Sequence, residues 1–457
     1  MCKNLLFLCD SYKVGGHFQQ YPQNTTNIYS YFESRGGRWK DTVFFGLQYI
    51  LKKYLVGTVV TASMIDEAEE LFALHFGRRD LFNRKGWEYI VSKYDGRLPL
   101  TIRSVPEGSA TENHNVLMTV ENTDPECFWL TNYLETLLVQ CWYPCTVATQ
   151  SREMKKIILK YLQETGDTSL IDYKLHCFGF RGVSSVESAG IGGLAHLVNF
   201  KGSDTLEALV VGSKYYNEKC AGNSIPASEH STITAWGKDN EVNAYRNILE
   251  KYPTGLVACV SDSYDIYNAC DNLWGGELKD MVMARDGCLI VRPDSSDPVM
   301  IVTDVVARLG NKFGYTINNK GYKVLDPHVR VIQGDGIEYD TVDPILARLK
   351  KFGWSTDNIS FGSGGGLLQK LNRDTLKFAF KCSSAVINGN TIDVYKDPIT
   401  DSGKRSKRGR LKLVYDMDGY TTVGYDDNRP DCLVEVFRDG KLLQDYSMSE
   451  IRERAKL

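Results

Sequence analysis

Ile359-Ser360-Phe361-Gly362-Ser363-Gly364-Gly365-Gly366-Leu367-Leu368 joins a short β-prone apolar run, a glycine turn and the start of a helical stretch. The same grammar recurs upstream. Leu256 to Val260 leads into Ser261-Asp262-Ser263, Cys288 to Val291 into Arg292-Pro293-Asp294-Ser295, and Val329 to Ile332 into Gln333-Gly334-Asp335-Gly336. Each unit restarts after roughly 30 to 40 residues, the length of one βα unit. Such alternation predicts parallel strands whose following turns share one face, where chemistry is done. An open doubly wound sheet also gathers ligands at its strand ends; the regular repeat favours the barrel.

Outside this repeat the rhythm changes. Residues 1–150 and the last stretch carry aromatic-rich β segments such as Asn27-Ile28-Tyr29-Ser30-Tyr31-Phe32. The fold class predicted is α/β, with a barrel-like βα domain over 151–380 and a second α/β domain built from 1–150 and 381–457. Two helices stand out by spacing. One runs from Ser63 to Phe76, with Ile65, Ala68, Leu71, Leu74 and His75 on its stripe and Gly77 as its stop; the other runs from Arg152 to Glu164, with Gly166 beyond its end. Leu5 to Cys9 reads as a buried strand, too short for a signal-peptide core or a membrane span.

A chain of 457 residues exceeds one ordinary core and suits two. Its 42% apolar and 24% charged residues are the usual globular mix, which excludes wholesale disorder. Lys plus Arg total 54 against 57 Asp plus Glu, so no global excess draws the molecule to nucleic acid or to a membrane, and a polyanion has to be met locally. Twelve scattered cysteines, whose nearest pair is Cys141 and Cys145 with no histidine beside them, suit buried thiols in a reducing cytoplasm better than zinc.

Several segments could carry chemistry. Gly362 to Gly366 can aim successive backbone N–H groups at one anion, although a tight strand-to-helix turn explains the glycines as well. No Gly-Lys-Ser/Thr follows, so it is not a nucleotide P-loop. The run Lys404, Arg405, Lys407, Arg408, Arg410, Lys412 reads as a solvated face, a nucleic-acid patch or a diphosphate clamp, with Lys396 near it. Phe178 and Arg181, in Lys174 to Gly182, suit a flat ring beside an anion or ordinary packing. His230, among Glu229, Ser231 and Thr232, is a candidate acid–base group or a structural histidine.

Taken together these motifs resemble the nicotinamide phosphoribosyltransferase family of type II phosphoribosyltransferases. The likeness extends over Asp10 to Lys13, Tyr29 to Glu33, Val120 to Cys127, His176 to Ser185, Asn199 to Thr205, Glu229 to Gly237, Ser261 to Asp265, the later polar turns and Lys404 to Arg410. It implies transfer of a phosphoribosyl group from phosphoribosyl pyrophosphate to nicotinamide, in a cytoplasmic homodimer whose active sites are shared. It further implies that Tyr12 (from the partner subunit) and Phe178 stack on the pyridine while Asp204 and Arg292 bond its carboxamide. Asp294, Gly334 and Asp335 would hold the ribose. Gly364, Gly365, Arg373 and Lys381 would hold the 5′-phosphate, and Arg35, Arg181, Lys396 and Lys404 the pyrophosphate. Mg²⁺ would ride on substrate phosphates, and ATP would phosphorylate His230, oriented by Asp265. A nicotinate-using relative and a catalytically silent, nucleic-acid-binding relative are the alternatives. The sequence departs from the family pattern at four places: Ala379 stands where a serine is usual, Ser296 where a glycine is usual, the segment around Val14 to His17 is one residue longer, and the loop near Gly36 to Lys40 is shorter.

Overall fold

The computed structural model describes residues 4–400 and 405–457. The chain divides into two compact units. The first takes the described residues of Met1–Thr146, Lys214–Asn217 and Leu371–Lys456, and the second Val147–Ser213 and Glu218–Lys370.

A seven-stranded sheet organises the first unit, in the order Asn390–Asp393, Phe378–Ile387, Thr25–Ser34, Val116–Asn122, Leu100–Ser104, Val434–Arg438, Lys441–Leu442. Every neighbouring pair is antiparallel. The aromatic and β-branched residues of Thr25–Ser34 suit this central place, where Tyr31 and Phe32 are fully buried. Register then fixes what faces what: Tyr31 lies opposite Lys381, Phe32 opposite Phe380 and Glu33 opposite Ala379.

Two details of this unit differ from the sequence reading. Leu5 to Cys9 is no strand: Leu5–Phe7 is a single helical turn, closed by the Asn4 side chain accepting from the Leu6 N–H at 3.1 Å. A five-residue apolar run is a strand only when a neighbouring strand takes its hydrogen bonds, and here a capping side chain takes one first. The helix Ala62–Phe76 forms as expected and ends at Gly77 in the left-handed region (φ 69°), but it buries Ile65, Ala68 and Phe72 and leaves Leu71 and Leu74 exposed. Three-residue spacing alone put the stripe about one position off.

The second unit carries a six-stranded, wholly parallel sheet in the order Gly202–Ser203, Leu175–Cys177, Ile359–Ser363, Val329–Gln333, Asp286–Arg292, Thr254–Val260. Residues 223–228 bond to both edges. Asn223 accepts from the Ser203 N–H at 3.0 Å, and the Ser228 N–H donates to Ala258 at 3.0 Å, so this segment closes the sheet into a ring. Helices cover the outside. Pro298–Phe313 begins with Asp297 capping the Val299 N–H at 2.9 Å and buries Ile301, Val302, Val305, Val306 and Leu309, while Tyr339–Lys351 buries Val342, Ile345, Leu346 and Leu349. The expected helix from Arg152 starts earlier, as Trp142–Thr165; Pro144 is tolerated in its first turn, where its missing N–H would have had no partner. No helix among the described residues is long and apolar enough to cross a membrane.

Candidate active site

Parallel register brings the carboxyl ends of the second unit's strands to one rim, as the repeat predicted. There Phe178, Arg181, Asp204, Glu229, Arg292, Asp294, Gly334, Asp335, Gly364 and Gly365 surround a cleft of about 920 Å³. The Phe178 ring is bracketed by glycines. Its N–H donates to Ser363 at 2.9 Å, and a Cβ placed on Gly362 would fall 1.9 Å from the ring, one on Gly334 3.3 Å from it. Glycine at 362 is therefore a matter of close approach to an aromatic face. A Cβ placed on Gly182 would fall 3.2 Å from the Gly365 nitrogen, while one on Gly365 would meet nothing within 4 Å, so the Arg181 turn and the glycine turn form adjacent walls.

Asp204 lies at the start of the next βα turn, with its N–H bonded to Cys177 at 3.0 Å. Its Oδ1 accepts from His176 Nε2 at 2.8 Å and from the Ser224 hydroxyl. Partial burial raises its pKa, but hydrogen bonds from His176 and Ser224 and the nearby Arg292 outweigh this and hold the carboxyl below the usual range. Arg292 Nη2 reaches Asp294 at 3.3 Å, while its buried Nε has no hydrogen-bond partner among the described residues. The rim therefore offers a flat face, an ionised acceptor and an unsatisfied donor in one slot.

His230 begins a short helix, His230–Thr234, beside this cleft. Asp262, not Asp265, meets its ring, with Nε2 and Oδ1 3.1 Å apart. Asp265 caps the next helix instead, accepting from the Tyr267 and Asn268 N–H groups at 2.9 and 3.0 Å. An aspartate immediately before a helix start is a cap by sequence rule as well; the nearer Asp262, in a turn already marked as polar, was the better candidate.

The remaining expected residues gather elsewhere. Tyr12, Arg35, Arg373, Lys381 and Lys396 line a separate cavity of about 1010 Å³ wholly within the first unit, together with Ala379, Glu135 and Lys377. Tyr12 is 62% exposed there, too open for a core role. Burial pushes the Lys381 ammonium below the ordinary lysine range; Glu135 opposes this, and Arg35, Lys396 and Arg373 add to it. Four cations compressed in this way suit a bound polyanion. Arg35 donates from Nε to Glu33 at 2.7 Å and keeps a buried Nη2 with no hydrogen-bond partner among the described residues.

Lys404 lies outside the described residues. Of the rest of its basic run, Lys407 pairs with Glu33, Arg410 holds Glu121 at 2.8 and 2.6 Å, and Lys412 donates to Asp427 at 2.7 Å. Among the described residues of the run, Lys407 and Arg410 are thus paired with carboxylates within the fold.

Residues 173–441 match the model of the nicotinate phosphoribosyltransferase (NAPRTase) family, and residues 4–102 that of the nicotinamide phosphoribosyltransferase N-terminal domain. The chain is 49% identical over 466 residues to a nicotinamide phosphoribosyltransferase of Xanthomonas campestris pv. campestris, covering 99% of this chain and 98% of the relative. It is 33% identical to one of Acinetobacter baylyi, covering 99% and 97%. Among solved structures, nicotinate-nucleotide pyrophosphorylase from Pyrococcus furiosus superposes with a TM-score of 0.63 at 15% identity, covering 99% and 95%. Human nicotinic acid phosphoribosyltransferase does so with a TM-score of 0.58 at 14%, covering 98% and 92%. At such identity these two speak for the fold.

Proposed function

This chain belongs to the nicotinate and nicotinamide phosphoribosyltransferase family, and from that premise we propose that it transfers the phosphoribosyl group of phosphoribosyl pyrophosphate to nicotinamide. The products are nicotinamide mononucleotide and pyrophosphate, in NAD salvage in the cytoplasm. One observation carries the choice of base: the ionised Asp204 beside Arg292 at the Phe178 slot. An amide offers Asp204 an N–H and Arg292 a carbonyl. Nicotinate would instead set one carboxylate against another, at a cost between about 1 kcal/mol in bulk water and about 4 kcal/mol at an effective dielectric of 20 and 4 Å. Asp204 is half exposed, which argues for the lower part of that span.

The other roles follow from chemistry. Departure of pyrophosphate leaves an oxocarbenium-like ribosyl carbon, which Asp294 and Asp335 stabilise while they hold the ribose hydroxyls, and the pyridine nitrogen attacks from the opposite face. The open turn at Gly364 and Gly365 takes the 5′-phosphate, and Arg181 faces the diphosphate. The cationic cavity of Arg35, Arg373, Lys381 and Lys396 suits the same phosphates when presented by a second copy of the chain, with Tyr12 as the other ring face; we therefore place the active site across a homodimer. Mg²⁺, when bound, shares the charge of the departing diphosphate. Such an ion would be carried mainly by phosphate oxygens and water. His230, oriented by Asp262, accepts the γ-phosphoryl group of ATP on a ring nitrogen and releases ADP.

Mass detection of the mononucleotide from purified protein, nicotinamide and phosphoribosyl pyrophosphate, with and without ATP, tests the proposal. Wild type should form product and be stimulated by ATP, and His230→Ala should lose the stimulation while keeping basal turnover. A preference for nicotinate would overturn the Asp204 argument.

A further inference from the structure

The two protein donors on Asp204 converge on a single oxygen. His176 Nε2 stands 2.8 Å from Oδ1, the Ser224 hydroxyl donates to that same atom, and no described side chain donates to Oδ2. Neither donor is free to drift. His176 sits in strand register opposite Gly202, so close that a Cβ on that glycine would lie 2.5 Å from Nδ1, and the ring is held against the neighbouring backbone. Ser224 belongs to the segment that closes the ring of strands, pinned on one side through Asn223 to Gly202 and on the other through Ala227 to Ala258.

A carboxylate with both oxygens unengaged rotates about its Cβ–Cγ bond and presents either lone-pair set. Saturating one oxygen from two directions leaves the other as the sole, fixed acceptor. We infer that His176 and Ser224 are positioning residues for base choice: by filling Oδ1 they aim Oδ2 at the carboxamide NH2 of the base, and so make the barrel's closing segment part of the specificity machinery. The inference rests on the nicotinamide reading above and adds two residues that are not among those lining the cleft and act through Asp204. Hydrogen bonds to an ionised group are the stronger kind, and their loss frees the acceptor instead of removing it. The effect should therefore fall on base binding and leave the chemical step alone.

Steady-state kinetics of Ser224→Ala, Ser224→Thr, His176→Leu and His176→Gln, with both bases and with phosphoribosyl pyrophosphate varied, decides the matter. Ser224→Ala and His176→Leu should each raise the KM for nicotinamide about five- to tenfold. Their kcat and their KM for phosphoribosyl pyrophosphate should stay within about twofold. Ser224→Thr and His176→Gln keep a donor at the same place and should recover most of the loss, a rescue that a purely structural role would not give. An unmoved nicotinamide KM in both deletions, or a fall in kcat equal to the rise in KM, would overturn the positioning roles. Wild type that forms no mononucleotide from nicotinamide would overturn the parent reading and this proposal together, whereas active wild type with unmoved variants overturns only this one.

Discussion

Adding a single methyl group at Gly362 tests the aromatic slot. The Cβ of Gly362→Ala would lie 1.9, 2.3 and 2.7 Å from Cε2, Cδ2 and Cζ of Phe178, where carbon atoms in contact need about 3.5 to 4 Å. The ring has to move by roughly 2 Å to restore that spacing. Its backbone is tied to Ser363 at 2.9 Å and Gly362 bars retreat, so the movement is into the cleft. The strain costs about 1–3 kcal/mol of stability, and a misplaced ring forfeits a stacking term of about 0.5–1.5 kcal/mol together with part of the buried area. The KM for nicotinamide should therefore rise about tenfold, with that for phosphoribosyl pyrophosphate much less affected. Thermal melts and two-substrate kinetics read both effects. The double variant Gly362→Ala/Phe178→Ala removes the clash, so it should regain the stability of Phe178→Ala alone yet keep the raised KM. A Gly362→Ala enzyme with wild-type affinity for the base would refute the placement of Phe178 at the ring.

Three other outcomes follow from single residues. Asp204→Asn keeps the shape and removes the charge, so the kcat/KM ratio of nicotinate to nicotinamide should rise at least about fivefold, the bulk-water end of the repulsion; competition between the bases, read by mass, checks this. Glu107 is fully buried, and burial raises its pKa to about 7, against the pull of the Gln48, Gly46 and Leu47 amides and the Tyr216 hydroxyl. The folded state then holds a proton that the unfolded chain has lost, so stability falls as pH rises from the unfolded value near 4.5 through about 7. Glu107→Gln should flatten that slope and raise Tm at pH 8, with at most about 3 kcal/mol at stake; denaturant melts from pH 5 to 8 measure it. Ser296 adopts a left-handed φ of 78°, a conformation that costs a side chain about 1 kcal/mol or more relative to glycine. Ser296→Gly should raise stability by about that much, read by the same melts.

The repeat of apolar run, polar turn and helix made the parallel sheet legible, because a short continuous apolar run, buried on both faces and followed by a polar turn and a helix, is the pattern of a parallel strand. All four turns quoted for it lie at the carboxyl ends of strands of one sheet, with Arg292, Gln333 and Gly362 still within their strands and Ser261 just past its own. Arg292, Asp294, Gly334 and Gly365 stand in those turns and Phe178 at another strand end, so turns after parallel strands bring them to one rim, whereas Asp204 entered only through the family resemblance. Ser224 was not readable. It lies in a segment whose pairing amounts to two isolated bridges, too little strand to leave a hydrophobic period. The partner of His230 was misplaced because capping and ion pairing draw on the same residue type, and only geometry separates Asp262 from Asp265. The pairing of two cations of the basic run was hidden for a different reason: Glu33 and Glu121, which meet Lys407 and Arg410, are hundreds of residues away in sequence.

The central claim is that the rim cleft of one copy works with the cationic cavity of another, and co-expression tests it most directly. Asp294→Ala disables the cleft and Lys381→Ala the cavity, and each variant alone should be close to inactive. Purified through two different tags, the mixed dimer pairs the intact cleft of one chain with the intact cavity of the other, so one of its two sites should work at up to about half the wild-type activity. No recovery in the isolated mixed dimer, with both chains folded and associated, would contradict the account.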